Sequence, residues 1–166
     1  MPRIRTRGKR DRAESETMRA EASKELFASR QDVWGFLAEP YHLSDWWPGV
    51  AAVRPDRRGL ALGARWELIG GSEPTLFRPR HARSLLLVRR VEPYELVAWH
   101  LTGPKLDVEV RLAATGSDRT VVTVAVEGPW RPEAFGRPRA LPREALNRLH
   151  ALCQTAASLA EGGERG

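Results

Sequence analysis

Leu106-Asp107-Val108-Glu109-Val110-Arg111-Leu112 alternates apolar and charged residues without a break. An alternation of period two puts one set of side chains on each face of a strand, so one face here is buried and the other wet. Gly116-Ser117-Asp118 then turns the chain into Arg119 to Glu127, where Val122, Val124 and Val126 repeat the pattern. Two adjacent half-buried strands of this kind belong to an antiparallel sheet whose apolar face needs a cover.

Toward the N-terminus, Glu95 to Thr102 carries Val97, Trp99 and Leu101 on one side. Leu85 to Glu92 precedes it and Pro93-Tyr94 turns between them, which reads as a hairpin. Residues 77–84 are irregular, and Pro79 argues against a central strand position there. Ala64 to Ile69 puts Ala64, Trp66 and Leu68 on one face, and Val50 to Val53 is a shorter strand closed by Arg54-Pro55-Asp56. A first strand is expected over 19–28, where Ala20, Ala22 and Leu26 alternate with Glu21 and Lys24. Between it and Val50, Ser29 reads as the N-cap of a helix from Gln31 to Ala38, with Val33, Trp34 and Leu37 on its inner face. Pro40 stops that helix, a second helical turn fits Tyr41 to Asp45, and Trp46-Trp47-Pro48-Gly49 turns the chain sharply.

Toward the C-terminus, a Pro-containing connector from Gly128 to Leu141 leads to Pro142, a residue suited to the first position of a helix. From there to Ala160 the apolar residues Ala145, Leu146, Leu149, Leu152, Cys153, Ala156 and Leu159 fall at helical spacing, and Gly162-Gly163 end the run. That helix is about 19 residues and roughly 28 Å long. The expected fold class is α+β: a curved antiparallel sheet of about seven strands wrapped on one long C-terminal helix, with two short helices after the first strand. A space between a curved sheet and a single helix is a place where small apolar molecules lodge.

The chain of 166 residues suits one domain with a substantial core, 42% of it apolar and carrying six tryptophans. The expected domain runs over 19–161, between tails at 1–18 and 162–166. Residues 1–18 hold Arg3, Arg5, Arg7, Lys9, Arg10 and Arg12 against Asp11, Glu14 and Glu16, half of the net charge of +6. With few apolar residues the segment is expected to be disordered. A basic arm of this kind fits nucleic acid or an anionic membrane face; without aromatic residues to stack on bases, a solvated tail is the simpler reading. Cys153 stands alone, so no disulfide forms within the chain, and a cytoplasmic location is the expectation. No run of about 18 apolar residues occurs.

Motifs for nucleotide phosphates, zinc and serine hydrolysis are missing, and no cofactor or metal is expected. His42, His81, His100 and His150 are scattered along the chain. His150 lies near the inward stripe of the long helix and is the one catalytic candidate, as a proton carrier. His100 should face away from the pocket side if its neighbour Trp99 faces in, and Arg65 with Glu67 is expected to form a surface ion pair. Trp34, Trp46 and Trp47 are expected to pack the end of the sheet. Trp66 and Trp99 lie on apolar strand faces, where they are candidates to line a pocket and their indole N–H groups need partners.

Several of these stretches carry a resemblance: Ala38-Glu39-Pro40 followed by Trp46-Trp47-Pro48-Gly49-Val50, Gly59 and Gly63 before Trp66, Val91-Glu92-Pro93 into Leu96-Val97-Ala98-Trp99, and Arg119-Thr120-Val121-Val122-Thr123. Over about residues 20–161 the chain resembles the polyketide cyclase/dehydrase and lipid-transport branch of the START/Bet v 1-like (SRPBCC) superfamily. The resemblance implies the helix-grip fold and a hydrophobic or aromatic ligand, such as a lipid, polyketide or quinone-like molecule. The expected lining is Trp66, Trp99, Val108, Val110, Leu146, Leu149, His150 and Cys153. Binding or transport is the first reading, a polyketide cyclase or aromatase the second, and an RNA- or membrane-docking module the third.

Overall fold

The computed structural model describes residues 17–57, 59–70, 83–129 and 137–163. Seven antiparallel strands form one curved sheet: β1 (Thr17–Leu26), β2 (Val50–Pro55), β3 (Arg65–Gly70), β4 (Arg83–Glu92), β5 (Leu96–Leu101), β6 (Leu106–Gly116) and β7 (Arg119–Pro129), in the spatial order β1-β7-β6-β5-β4-β3-β2. Successive strands from β2 to β7 are neighbours, and β1 returns to pair with β7. The period-two faces meet in register. Val88, Trp99, Val108, Val126 and Ala20 form one row across five strands, and Val97, Val110, Val124 and Ala22 form the next. Register shifts at Val88/Arg90 in β4 and Ala114/Gly116 in β6 are bulges of the kind that bend a strand.

Among the described residues three helices accompany the sheet: α1 (Arg30–Ala38), α2 (Leu43–Trp46), entered through a 3-10 turn at Pro40–His42, and α3 (Arg137–Gly163). α3 lies against β1, β7 and α2. Ala145, Leu146, Leu149 and Cys153 give it a buried stripe, and Lys24 on β1 donates from Nζ to Asn147 Oδ1 at 2.8 Å. The arrangement is the helix-grip fold, as the order of elements predicts.

The boundaries differ in informative ways. β1 starts at Thr17 and ends at Leu26, because its pairing with β7 runs from Thr17↔Pro129 to Leu26↔Thr120. β7 therefore continues through Gly128 and Pro129, which the sequence assigns to a connector. α3 begins at Arg137 and is 27 residues long, about 40 Å. Pro142 sits in its second turn and not at its first position; a proline there forgoes one hydrogen bond, to the carbonyl of residue 138, without ending the helix. The irregular stretch around Pro79 and the basic segment up to residue 16 lie outside the described residues.

Candidate functional site

α2 is a four-residue helix, and its position rests on what flanks it. Pro40 enters the preceding turn, and Gly49, at φ +80° in the left-handed region, reverses the chain into β2. This short excursion lays two consecutive tryptophans over the sheet. Trp46 and Trp47 pack edge to face with each other at 5.6 Å between ring centroids. They meet Trp99 of β5 at 6.2 and 5.8 Å. Edge-to-face geometry is the favoured arrangement for such rings. Trp66 lies two strands from Trp99, in register with Leu86 of β4. Trp46 and Trp66 are 1% exposed and Trp99 3%.

The indole N–H groups of Trp46, Trp66 and Trp99 are buried with no hydrogen-bond partner among the described residues, and so is Oε1 of Glu39, between α1 and the 3-10 turn. An unsatisfied buried donor costs on the order of 1–3 kcal/mol, and native interiors rarely tolerate several in one region. Trp46 meets Trp99 directly, and Trp66 lies two strands from Trp99 on β3.

The residues singled out from sequence divide between two places. Trp66 and Trp99 belong to this tryptophan region, with Val108 beside Trp99 in register. Leu146, Leu149 and Cys153 lie on the buried stripe of α3, which packs on β1, β7 and α2, and Val110 pairs with Val124 across β6 and β7. All seven are 3% exposed or less. His150 is half-buried at the edge of α3, where its ring stands edge-on to Phe27 at 6.2 Å and its Nε2 lies 3.3 Å from Gln154 Nε2. Burial pushes the Cys153 thiol up to about 11, with the charge of Asp32 adding to the effect, so the group stays a thiol at neutral pH.

Beside this interior runs an open cleft of about 440 Å³ between α1 and the second half of α3. Its apolar wall includes Phe27, Gly35, Phe36, Cys153, Ala156 and Ala160, and its polar groups come from Gln31, Asp32 and His42. Gly35 stands in the middle of α1, where glycine costs about 1 kcal/mol relative to alanine. A Cβ built on it meets nothing within 4 Å. His42 is held by Asp45 Oδ2 at 2.9 Å and by the edge of Phe36 at 5.3 Å. Sequence reasoning missed this cleft. Its signals were a glycine inside a helical stretch and the small residues Ala156, Ala157 and Ala160 where a helix face should be bulky.

His100 Nδ1 lies 2.8 Å from Asp107 Oδ1, its cross-strand partner on the outer face, as the alternation at Trp99 requires. Glu67 pairs with Arg83 at 3.4 Å and reaches Arg54, its cross-strand partner, at 4.0 Å, and does not pair with Arg65. Trp34 packs on Tyr94 at the end of the sheet, at 5.8 Å, while Trp46 and Trp47 meet Trp99 of β5 and α2 also packs on the edge strand β2. Among the described residues no helix is long and apolar enough to cross a membrane, and no three His, Cys, Asp or Glu side chains converge.

No family model matches this chain, and no curated protein matches it by sequence. Solved structures do. A point mutant of norcoclaurine synthase from Thalictrum flavum, in complex with a transition-state analogue, shares 18% identity over 86% of this chain and 97% of its own, with a TM-score of 0.63. The di-domain ARO/CYC StfQ from the steffimycin biosynthetic pathway shares 13% identity over 86% of this chain and 52% of its own, at 0.64. A protein of unknown function from Staphylococcus aureus shares 11% identity over 87% and 98%, at 0.66. At these identities the likeness establishes the fold.

Proposed function

We propose that this chain binds a hydrophobic or aromatic small molecule in the cleft between α1 and its C-terminal helix, and that it belongs to the polyketide cyclase/dehydrase and lipid-transport branch of the SRPBCC superfamily. The observation that carries the binding reading is the cleft between α1 and α3. Its volume of about 440 Å³ lies in the usual range for small-molecule sites, and apolar walls with few polar groups are the usual lining. Cys153 borders the cleft and also belongs to the buried stripe of α3. Affinity then comes from apolar burial, at about 25 cal/mol per Å².

The make-up of the interior favours a carrier or sensor over an enzyme. Among the described residues the fully buried polar side chain is Thr120, whose hydroxyl is committed to the carbonyl of Ala28 at 2.9 Å, and Cys153 is held as a neutral thiol. His150, the general acid-base candidate, has its ring against Phe27 at the helix edge.

Gly35 supplies the test. Gly35→Leu places a side chain into open space and replaces a poor helix former, so the fold is expected to hold while the cleft fills. With 8-anilinonaphthalene-1-sulfonate as the probe, fluorescence titration is expected to show binding to the wild-type protein and at least a tenfold loss of affinity in the variant. Equal affinity for the two proteins contradicts the reading. Native mass spectrometry of the freshly purified protein asks the complementary question, whether a small molecule co-purifies.

A further inference from the structure

The two edges of the sheet are built differently. β2 closes one edge with six residues; it ends in Pro55, its pairing with β3 is broken by a register shift at Val50/Ala52, and α2 and the 3-10 turn pack on it. Short strands, prolines, bulges and covering elements are the devices that keep a sheet edge from pairing with another chain. β1 closes the other edge with ten residues, contains no proline, and pairs with β7 in one unbroken register from Thr17↔Pro129 to Leu26↔Thr120. Among the described residues its other side has no strand partner. A strand turns alternate backbone N–H and C=O groups to each side, so β1 presents an uninterrupted row of donors and acceptors to a further strand.

We infer that the β1 edge is a homodimer interface, on which β1 of a second copy of this chain adds antiparallel and makes the two sheets continuous. The charges on the outer face of β1 choose both the partner and the register. That face carries Arg19, Glu21, Ser23 and Glu25, all exposed. A two-fold axis at Ala22 pairs residues 18–26 with their copies and sets Arg19 opposite Glu25 of the second copy, Glu21 opposite its Ser23 and Met18 opposite its Leu26. A two-fold contact repeats each pair, so two Arg–Glu pairs form across the edge. Moving the axis one residue, to Glu21 or to Ser23, sets Glu21 against Glu21 or against Glu25, and like charges directly opposite repel. Moving it to Ala20 opposes Arg19 to Glu21 but pairs only residues 17–23 and leaves Glu25 out. Within the chain Glu25 has Arg119 at 3.9 Å, an exposed pair that leaves its carboxylate able to take a second cation.

Analytical ultracentrifugation of the full chain over a concentration series reads the association. The wild-type protein is expected to pass from monomer to dimer as concentration rises, with no larger species, because a two-fold contact closes on itself. Arg19→Glu sets a glutamate opposite Glu25, and Glu25→Arg sets an arginine opposite Arg19, so each variant alone is expected to self-associate about tenfold more weakly. Mixed in equal amounts, the two variants recover both opposite-charge pairs in a mixed dimer, and association is expected to return. The double variant Arg19→Glu/Glu25→Arg is expected to recover it within a single chain type. Neither residue lines the cleft, so the affinity for the anilinonaphthalene dye should stay at its wild-type value in all three variants and report that they are folded. A wild-type protein that is monomeric at every concentration overturns the inference. So does a dimer that either single variant leaves intact, or one that neither the mixture nor the double variant recovers. None of these results bears on the small-molecule reading, which the dye tests separately.

Discussion

The two halves of the interior are built from different materials. Where α3 crosses β1 and β7, the contacts are aliphatic: Val122, Val124 and Val126 below, Ala145, Leu146 and Leu149 above, with Thr120 satisfied by Ala28. Where α2 covers the sheet, the contacts are tryptophan on tryptophan, and three polar groups are buried without partners. The first half maximises dispersion contact in low-energy rotamers and leaves no polar debt. The second gives up stability at Trp46, Trp66 and Trp99, and sites that give up stability are where function is to be sought.

If that division is right, damage to the two halves separates. Leu149→Ala, in the aliphatic half, is expected to cost about 3 kcal/mol, read as a fall in the urea midpoint. The affinity for the anilinonaphthalene dye should stay at its wild-type value, since Leu149 does not line the cleft. A changed affinity breaks the division.

Cys153 sits between the halves and supplies a pH test. Its thiol is raised in the folded state to about 11 from the ordinary 9.0, so the folded protein holds its proton over a range in which the unfolded chain has lost it. The contribution to stability is therefore complete below pH 9 and is lost as pH rises toward 11. The loss is expected to reach about 2 kcal/mol, and Cys153→Ala should remove that slope from the stability profile. Identical profiles for the two proteins would show that the thiol is solvated.

Smaller effects sharpen the boundary near the cleft. Thr120→Val keeps the shape of a buried side chain and strips the carbonyl of Ala28 of its partner, for an expected loss of about 1.5 kcal/mol with little effect on dye binding. Ser29→Ala removes the oxygen that accepts from the backbone N–H of Asp32 at 3.1 Å, and about 1 kcal/mol is the usual cost of losing such a cap. Because α1 forms one wall of the cleft, this variant should also weaken dye binding slightly.

The division also explains what could be read in advance. The aliphatic half was legible because it is periodic. Val108 and Val110, Val122 to Val126 and Leu146 to Cys153 announce their faces by spacing alone, and Ser29 announces its helix by chemistry. The tryptophan half was legible in part. Trp66 and Trp99 lie on strands whose alternation assigns them inward. Trp46 and Trp47 lie in a short excursion whose direction is set by the φ of Gly49, a property that no period reveals, and so they were expected at the sheet's end. The cleft was not legible, since it exists through the approach of α1 to α3 from opposite ends of the chain.

The most direct test follows the wild-type protein by NMR during titration with 8-anilinonaphthalene-1-sulfonate. The account predicts that the backbone amide of Gly35 and the methyl signals of Ala156 and Ala160, which line the cleft, shift on binding, while the methyl signals of Val124 and Leu149 stay in place. Shifts confined to the aliphatic half, or cleft signals that do not respond to the dye, would contradict it.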